Sequence, residues 1–176
     1  YLGNPGAHSL SAMLYNRTLL QGLGTHNRFS ASTVDQLPKQ VAAGYMFGTG
    51  VSVAVPDLDR TDYLMILGAN PYASNGSVCT APDFPGRIEA IRARGGKVVV
   101  VDPRRTRTAE EADQWIAIRP ATDALFLMAI VNVLFAENLV KIQDHIAPLL
   151  NGLEDVREAS TEFTPERVAR ATGLEP

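Results

Sequence analysis

Between Asp62 and Pro103 the chain alternates in a way that few folds accommodate. Asp62-Tyr63-Leu64-Met65-Ile66-Leu67 is a short, continuous apolar run ending in Gly68-Ala69-Asn70-Pro71. After a polar loop, Pro85 to Gly96 has the spacing of a helix through Ile88, Ala90 and Ile91, closed by Gly95-Gly96. Lys97-Val98-Val99-Val100-Val101 is β-branched and apolar on both faces, and it breaks at Asp102-Pro103. Strand, helix and strand so close together make a βαβ unit. Its sheet is expected to be parallel and covered on both sides, with a right-handed crossover. The fold expected is α/β: a three-layer α/β/α sandwich with a mainly parallel sheet, Rossmann-like.

The flanking segments fit that class. Tyr1-Leu2 reads as the end of a strand before the turn Gly3-Asn4-Pro5-Gly6. From Ser9 to Gly24, Leu10, Met13, Leu14, Leu20 and Leu23 share a helical face, with Ser9 as N-cap. Thr25 to Val34 is patternless. A short helix follows, with Pro38 in its first turn and Val41, Ala42, Tyr45 and Met46 on its buried side. Trp115-Ile116-Ala117-Ile118 makes a third strand. A strongly apolar helix runs from Thr122, as cap, to about Glu137. Helical segments near 142–150 and 165–171 complete the chain, the latter capped by Thr164. No repeat or linker divides it, so residues 1–176 are expected to form a single α/β domain.

Composition removes several function classes. Sixteen Lys and Arg against nineteen Asp and Glu give a net charge of −3, the wrong sign for a nucleic-acid binder. Cys79 is the only cysteine, which leaves no disulfide framework and no cysteine-rich metal site in these residues. Cys79 itself reads as a small half-buried apolar residue. The longest nearly apolar run, 124–136, includes Asn132 and falls short of the roughly 20 residues a membrane span needs. His8, His26 and His145 lack metal-ligand spacing, and Ser30, Ser32 and Thr33 carry no motif of a nucleophilic triad.

Ligands of open parallel sheets bind beyond the carboxyl ends of the strands, and three loops leave strands there. The first, 68–76, contains Gly68 and Asn70 and feeds polar Ser74, Asn75 and Ser77. Such a loop can bring backbone N–H groups to a phosphate or pyrophosphate, although it is no GxGxxG fingerprint. The second, Asp102-Pro103-Arg104-Arg105-Thr106, sets a carboxylate beside two guanidinium groups. The carboxylate suits a ribose hydroxyl and the arginines suit phosphate or a base. The plainer alternative is that Asp102 caps a turn and the arginines are solvated. The third, Arg119-Pro120-Ala121-Thr122-Asp123, places Asp123 in a first helical turn, where the dipole favours a carboxylate. A carboxylate there also suits the paired N1–H and NH₂ donors of guanine. Both roles can hold at once.

Together the loops resemble one family. Leu67-Gly68-Ala69-Asn70-Pro71, Val99-Val100-Val101-Asp102-Pro103-Arg104-Arg105-Thr106, Ala109 to Asp113, and Ile118-Arg119-Pro120-Ala121-Thr122-Asp123 occur in the order and spacing of the molybdopterin oxidoreductases. That is the dimethyl sulfoxide reductase superfamily, with its formate dehydrogenases and nitrate reductases. Phe163-Thr164-Pro165-Glu166 with Thr172-Gly173 is similar to the segment closing this region in those enzymes. The resemblance implies an oxidoreductase domain that binds one half of a bis-molybdopterin guanine dinucleotide cofactor carrying molybdenum or tungsten. Leu67 to Ser74 (Leu67, Gly68, Ala69, Asn70, Pro71 and Ser74) would line the pyrophosphate. Asp102, Pro103, Arg104, Arg105 and Thr106 would follow the ribose and guanosine, and Ala121, Thr122 and Asp123 would read guanine.

The family supplies one protein ligand to the metal near the start of this domain, followed by a proline three positions on and a glycine thirteen on. Pro38 and Gly48 fit that pattern if the ligand is Asp35, whose hard oxygen suits a high-valent metal. The plainer alternative is that Asp35 caps the Pro38 helix. Asn4 and His8 are further candidates near the metal. The family's upstream iron–sulfur segment and its downstream region for the second dinucleotide are both absent from these residues. The resemblance thus implies a domain excised from a larger chain, inactive alone, whose partners are the remaining domains and an electron-transfer subunit. No nucleic acid or membrane contact is expected, and the cytoplasm is favoured as compartment. Two other readings stay open: a non-catalytic guanine-nucleotide-binding module, and a structural α/β domain for partner contacts.

Overall fold

The valine run forms the middle of the sheet. The computed structural model describes residues 9–30, 36–52, 54–76 and 81–176. Strands β1 (Tyr63–Leu67), β2 (Lys97–Val101) and β3 (Gln114–Ile116) are parallel and adjacent in that order. Tyr63 pairs with Lys97 and Leu67 with Val101, and Val100 pairs with Trp115. The fold is α/β. The described helices are α1 (Leu10–Leu23), α2 (Leu37–Phe47), α3 (Pro71–Ser74), α4 (Phe84–Ala93), α5 (Arg107–Glu110), α6 (Asp123–Ala136), α7 (Leu153–Ser160) and α8 (Pro165–Thr172). Residues 1–54 and 55–176 form two compact units.

In the first unit, α1 starts at Ser9, whose hydroxyl accepts the Ala12 N–H, and stops at Gly24 in the left-handed conformation. Its apolar face is largely exposed at Leu10, Met13, Leu14 and Leu23. In α2, with Pro38 in its first turn, the expected inner side is wrong: Val41, Ala42, Tyr45 and Met46 are exposed and Ala43 is buried. The reason lies in the sequence. Val41, Ala42, Ala43, Tyr45, Met46 and Phe47 are nearly continuous, so a 3.6-residue period selects no face. The expected strand end at Tyr1-Leu2 falls outside the described residues, as do Ser32, Thr33 and Cys79.

The second unit is built on β2. Val98 and Val100 join Ile66, Phe84, Ile88 and Ile91 in one core, while Val99 and Val101, equally buried, alternate to the other face. Helix α4 contributes Phe84, Ile88 and Ile91 at i, i+4 and i+7; Ala90, expected to be inside, is exposed. Asp83 caps α4 through the Gly86 N–H. At the helix exit, a Cβ on Gly96 would stand 2.7 Å from the Asp62 carbonyl oxygen, so any other residue would push β1 and α4 apart. The first strand starts one residue later than expected, at Tyr63, and the third runs from Gln114 to Ile116 rather than to Ile118.

Asp113 ties the opposite end of the sheet. One carboxylate oxygen accepts the Val98 N–H at 2.8 Å and the other accepts Arg92 Nε at 2.9 Å. The Val98 N–H, and after it the Arg92 guanidinium, hold this carboxyl below its ordinary value of 3.8 despite partial desolvation. Between the folded value and 3.8 the unfolded chain therefore binds more protons. The stability that Asp113 contributes is full above the unfolded value and is lost as pH falls through the folded one. Asp113→Ala should cost about 1–3 kcal/mol at neutral pH, because Val98 keeps an unpaired N–H. That difference should shrink below pH 3.8; denaturant melts of the two proteins from pH 7 to pH 2 measure it.

Beyond β3, α6 packs against α7 and α8. Asn132, the polar residue in its apolar run, donates to the Ser160 carbonyl at the end of α7. Helix α8 is capped by Thr164 as expected. The helical segment expected near 142–150 is corrected to one 3-10 turn, Ala147–Leu149. Pro148 explains this, since it has no N–H to give and its ring crowds the carbonyl four residues back.

Candidate functional site

Strand order sets the site. Because β1, β2 and β3 are neighbours and parallel, the three loops leave the same edge side by side. Gly68 continues the ladder by donating its N–H to the Val101 carbonyl, then turns with φ +61°. A Cβ at Gly68 would meet nothing within 4 Å, so the backbone there borders open space. Pro71 is buried at the start of α3, Leu67 and Asn70 are half-buried, and Ala69 and Ser74 are exposed. Asn75 closes the loop in the left-handed conformation, its Oδ1 accepting the Phe84 N–H at 2.9 Å. Ser77 lies outside the described residues.

The second loop has the geometry of the plainer alternative, a local turn at Asp102 with exposed arginines. Asp102 is 7% exposed, and its Oδ1 accepts the Arg104 N–H at 2.8 Å, a local turn. Pro103, Arg104 and Arg105 are exposed, and Thr106 caps α5 through the Ala109 N–H. The Arg105 guanidinium lies 5.8 Å from the centre of the Trp115 ring. Trp115 Nε1 donates to the Asp102 carbonyl at 2.8 Å. A side chain on β3 thereby holds the loop that follows β2. This bond is invisible in the sequence, although a lone tryptophan two residues after Asp113 was a signal of a kind.

In the third loop, Ala121 has φ +63° and is exposed, as is Pro120. Thr122 stands at the N-cap of α6 but makes no capping bond; its hydroxyl donates instead to the Arg119 carbonyl at 2.7 Å. Thr122 thus holds the expected cap position without the capping bond, its backbone at φ −115° and ψ 9° not being extended as that of a capping residue usually is. Arg119 is anchored to α8, donating its N–H to the Thr172 carbonyl and its guanidinium to the Arg170 carbonyl. Asp123, half-buried, occupies the first turn of α6.

Asn70 and Thr108 join the first two loops. Thr108 hydroxyl and N–H both point at Asn70 Oδ1, at 2.6 and 3.4 Å. Sequence reading placed Asn70 in the site but missed Thr108. The donor set fits an anionic nucleotide: two exposed guanidiniums and an amide for a pyrophosphate, and carboxylates at Asp102 and Asp123 for hydroxyl and N–H donors. Asp35, Asn4 and His8 lie outside the described residues. No cluster of three metal-ligating side chains occurs among the described ones.

The family model described as molybdopterin oxidoreductase matches residues 4–147. The chain belongs to that family. It is 30% identical over 161 residues to the thiosulfate reductase molybdopterin-containing subunit PhsA of Salmonella typhimurium, covering 92% of this chain and 20% of that protein. Formate dehydrogenase H of Escherichia coli is 29% identical over 153 residues, covering 86% and 20% respectively. The structure of acetylene hydratase from Pelobacter acetylenicus superposes with a TM-score of 0.69 at 25% identity, over 91% of this chain and 21% of that one. The chain thus spans about a fifth of the length of these molybdopterin relatives. No helix among the described residues is long and apolar enough to cross a membrane.

Proposed function

We propose that the chain is the domain of a molybdopterin oxidoreductase that holds one guanine dinucleotide of a bis-molybdopterin guanine dinucleotide cofactor. The observation that carries this reading is the set of three neighbouring loops at one sheet edge, two of them interlocked, bearing cations and carboxylates in the places an anionic nucleotide needs. Leu67, Gly68, Ala69, Asn70, Pro71 and Ser74 border the pyrophosphate, with Arg104 and Arg105 neutralising its charge. Asp102 takes a ribose hydroxyl through the oxygen that Arg104 leaves over, and Pro103 and Thr106 shape the same loop. Ala121 and Thr122 set Asp123 to accept the two guanine donors. Residues 1–176 serve as one cofactor domain; the family match supports this by running across both compact units.

The bound metal–pterin group supplies the two-electron chemistry. This chain's residues position it and offer Asp35 as an oxygen ligand to molybdenum or tungsten. The larger protein would carry an iron–sulfur cluster upstream and pass electrons to a partner subunit. One relative is named a hydratase, so the share assigned here, holding and orienting the cofactor, is common to differing overall reactions. Acid hydrolysis of the full-length enzyme should release two guanine nucleotides per metal atom. Release of cytidine nucleotide, or of none, would refute the guanine assignment.

A further inference from the structure

We infer that Thr108 is a positioning residue that fixes the amide of Asn70 so that its NH₂ faces the pyrophosphate of the nucleotide; this rests on the reading given under Proposed function. Thr108 is 1% exposed, 38 residues along the chain from Asn70. Its main-chain N–H points at the Asn70 amide, and a backbone N–H can only donate. The amide atom facing it is therefore the oxygen, which also accepts the Thr108 hydroxyl at 2.6 Å. That hydroxyl is itself oriented, because it accepts the Tyr72 N–H at 3.2 Å while donating to Asn70.

The arrangement uses Asn70 in an unusual way. An asparagine just before a helix ordinarily caps it, yet Asn70 makes no capping bond to α3. Its oxygen is committed to Thr108, so the two amide N–H donors point the opposite way. A freely rotating amide would present oxygen to a phosphate half of the time, which repels. Thr108 removes that state. In the same step it joins the loop after β1 to the loop after β2, so the amide and the Arg104 and Arg105 side chains keep a common frame.

Full-length apoprotein, produced in a host that makes no pterin cofactor, can be titrated with GDP by calorimetry. Thr108→Val keeps the shape and removes the hydroxyl; it should weaken GDP binding about three- to tenfold, the size of one average hydrogen bond. Thr108→Ser should bind like wild type. Thr108→Val added to Asn70→Ala should cost nothing further, since the residue acts through Asn70. Unchanged GDP affinity in Thr108→Val, or additive losses in the double variant, would overturn the inference while leaving the nucleotide reading in place. Should Thr108→Val not fold, Asn70→Asp decides: it still accepts from Thr108 but has no N–H to offer, so it should fold and lose GDP binding more than about tenfold. Wild-type affinity in Asn70→Asp would overturn the inference. Wild-type apoprotein that ignores GDP would overturn the nucleotide reading and this inference with it.

Discussion

Asp35→Ala in the full-length enzyme should keep fold and pterin content, change the first-shell spectrum of the metal, and reduce turnover at least about 100-fold. The size follows from metal sites generally, where removing partners of a ligand already costs about 10–100-fold. If the proposed cofactor is bound, its own sulfur donors would keep the metal in place, so loss of one carboxylate would alter its electronics rather than its occupancy. Asp35→Ser and Asp35→Cys each keep a donor atom and should restore part of the activity with altered spectra. The competing role for Asp35 is capping of α2. The N-cap of that helix is Gln36, which makes no side-chain capping bond, and Asp35 stands one position before it in the sequence. If capping were nonetheless the role, Ala should cost about 0.5–2 kcal/mol of stability and leave the metal spectrum unchanged, with Ser close to wild type. An X-ray absorption spectrum of Asp35→Ala identical to wild type would eliminate the ligand assignment.

The βαβ unit was legible because its signals are local. Four consecutive valines read as a strand buried on both faces, and Ile88 and Ile91 read as the inner side of the helix before it. Strand ends then located the three loops, since parallel strands all finish at one edge. Faces were legible only where polar residues interrupted the apolar ones. In α2 almost nothing does, and the inner side was misassigned. Helix α7 went unread although Glu154 and Asp155 open it and Arg157 follows, the charge order of a helix with its dipole complemented. Helices α3 and α5 are single turns, too short to carry a period.

Within the site, residue type and order were legible, whereas orientation was not. Nothing local in Asn70 says that its oxygen turns toward a threonine 38 residues away. Nothing in Trp115 says that its indole N–H holds the Asp102 carbonyl. Such bonds depend on strand register, which brings Val100 beside Trp115 and Leu67 beside Val101. The same register, with Val99 beside Gln114, sets Asp113 at the opposite end of the strands from the loops. The motif that carries it travels with the nucleotide loops in sequence, yet Asp113 bonds to Val98 at the start of β2, and the loops leave the strand's other end. It is a sheet clamp.

Asp123→Ala should lose cofactor from the full-length enzyme where Asp155→Ala does not. Both carboxylates sit in the first turn of a helix, Asp123 in α6 and Asp155 in α7, so the helix dipole favours them alike by about 0.3–1 kcal/mol. Any general effect of removing a first-turn charge therefore appears in both variants and cancels. What differs is place. Asp123 is half-buried at the carboxyl edge of the sheet, directly after Ala121 and Thr122, whereas Asp155 is exposed. Two charge-assisted bonds to guanine would contribute about 1.5–3 kcal/mol each, so their loss should weaken retention by roughly 100-fold or more. Asp123→Asn separates charge from shape: its oxygen can accept one guanine N–H, but its NH₂ then meets the second donor, so retention should fall almost as far as with Ala. Metal and guanine nucleotide per folded protein are the readouts. Equal contents in Asp123→Ala and Asp155→Ala, at equal melting temperature, would remove guanine reading from this loop and leave Asp123 as a charge on a helix end.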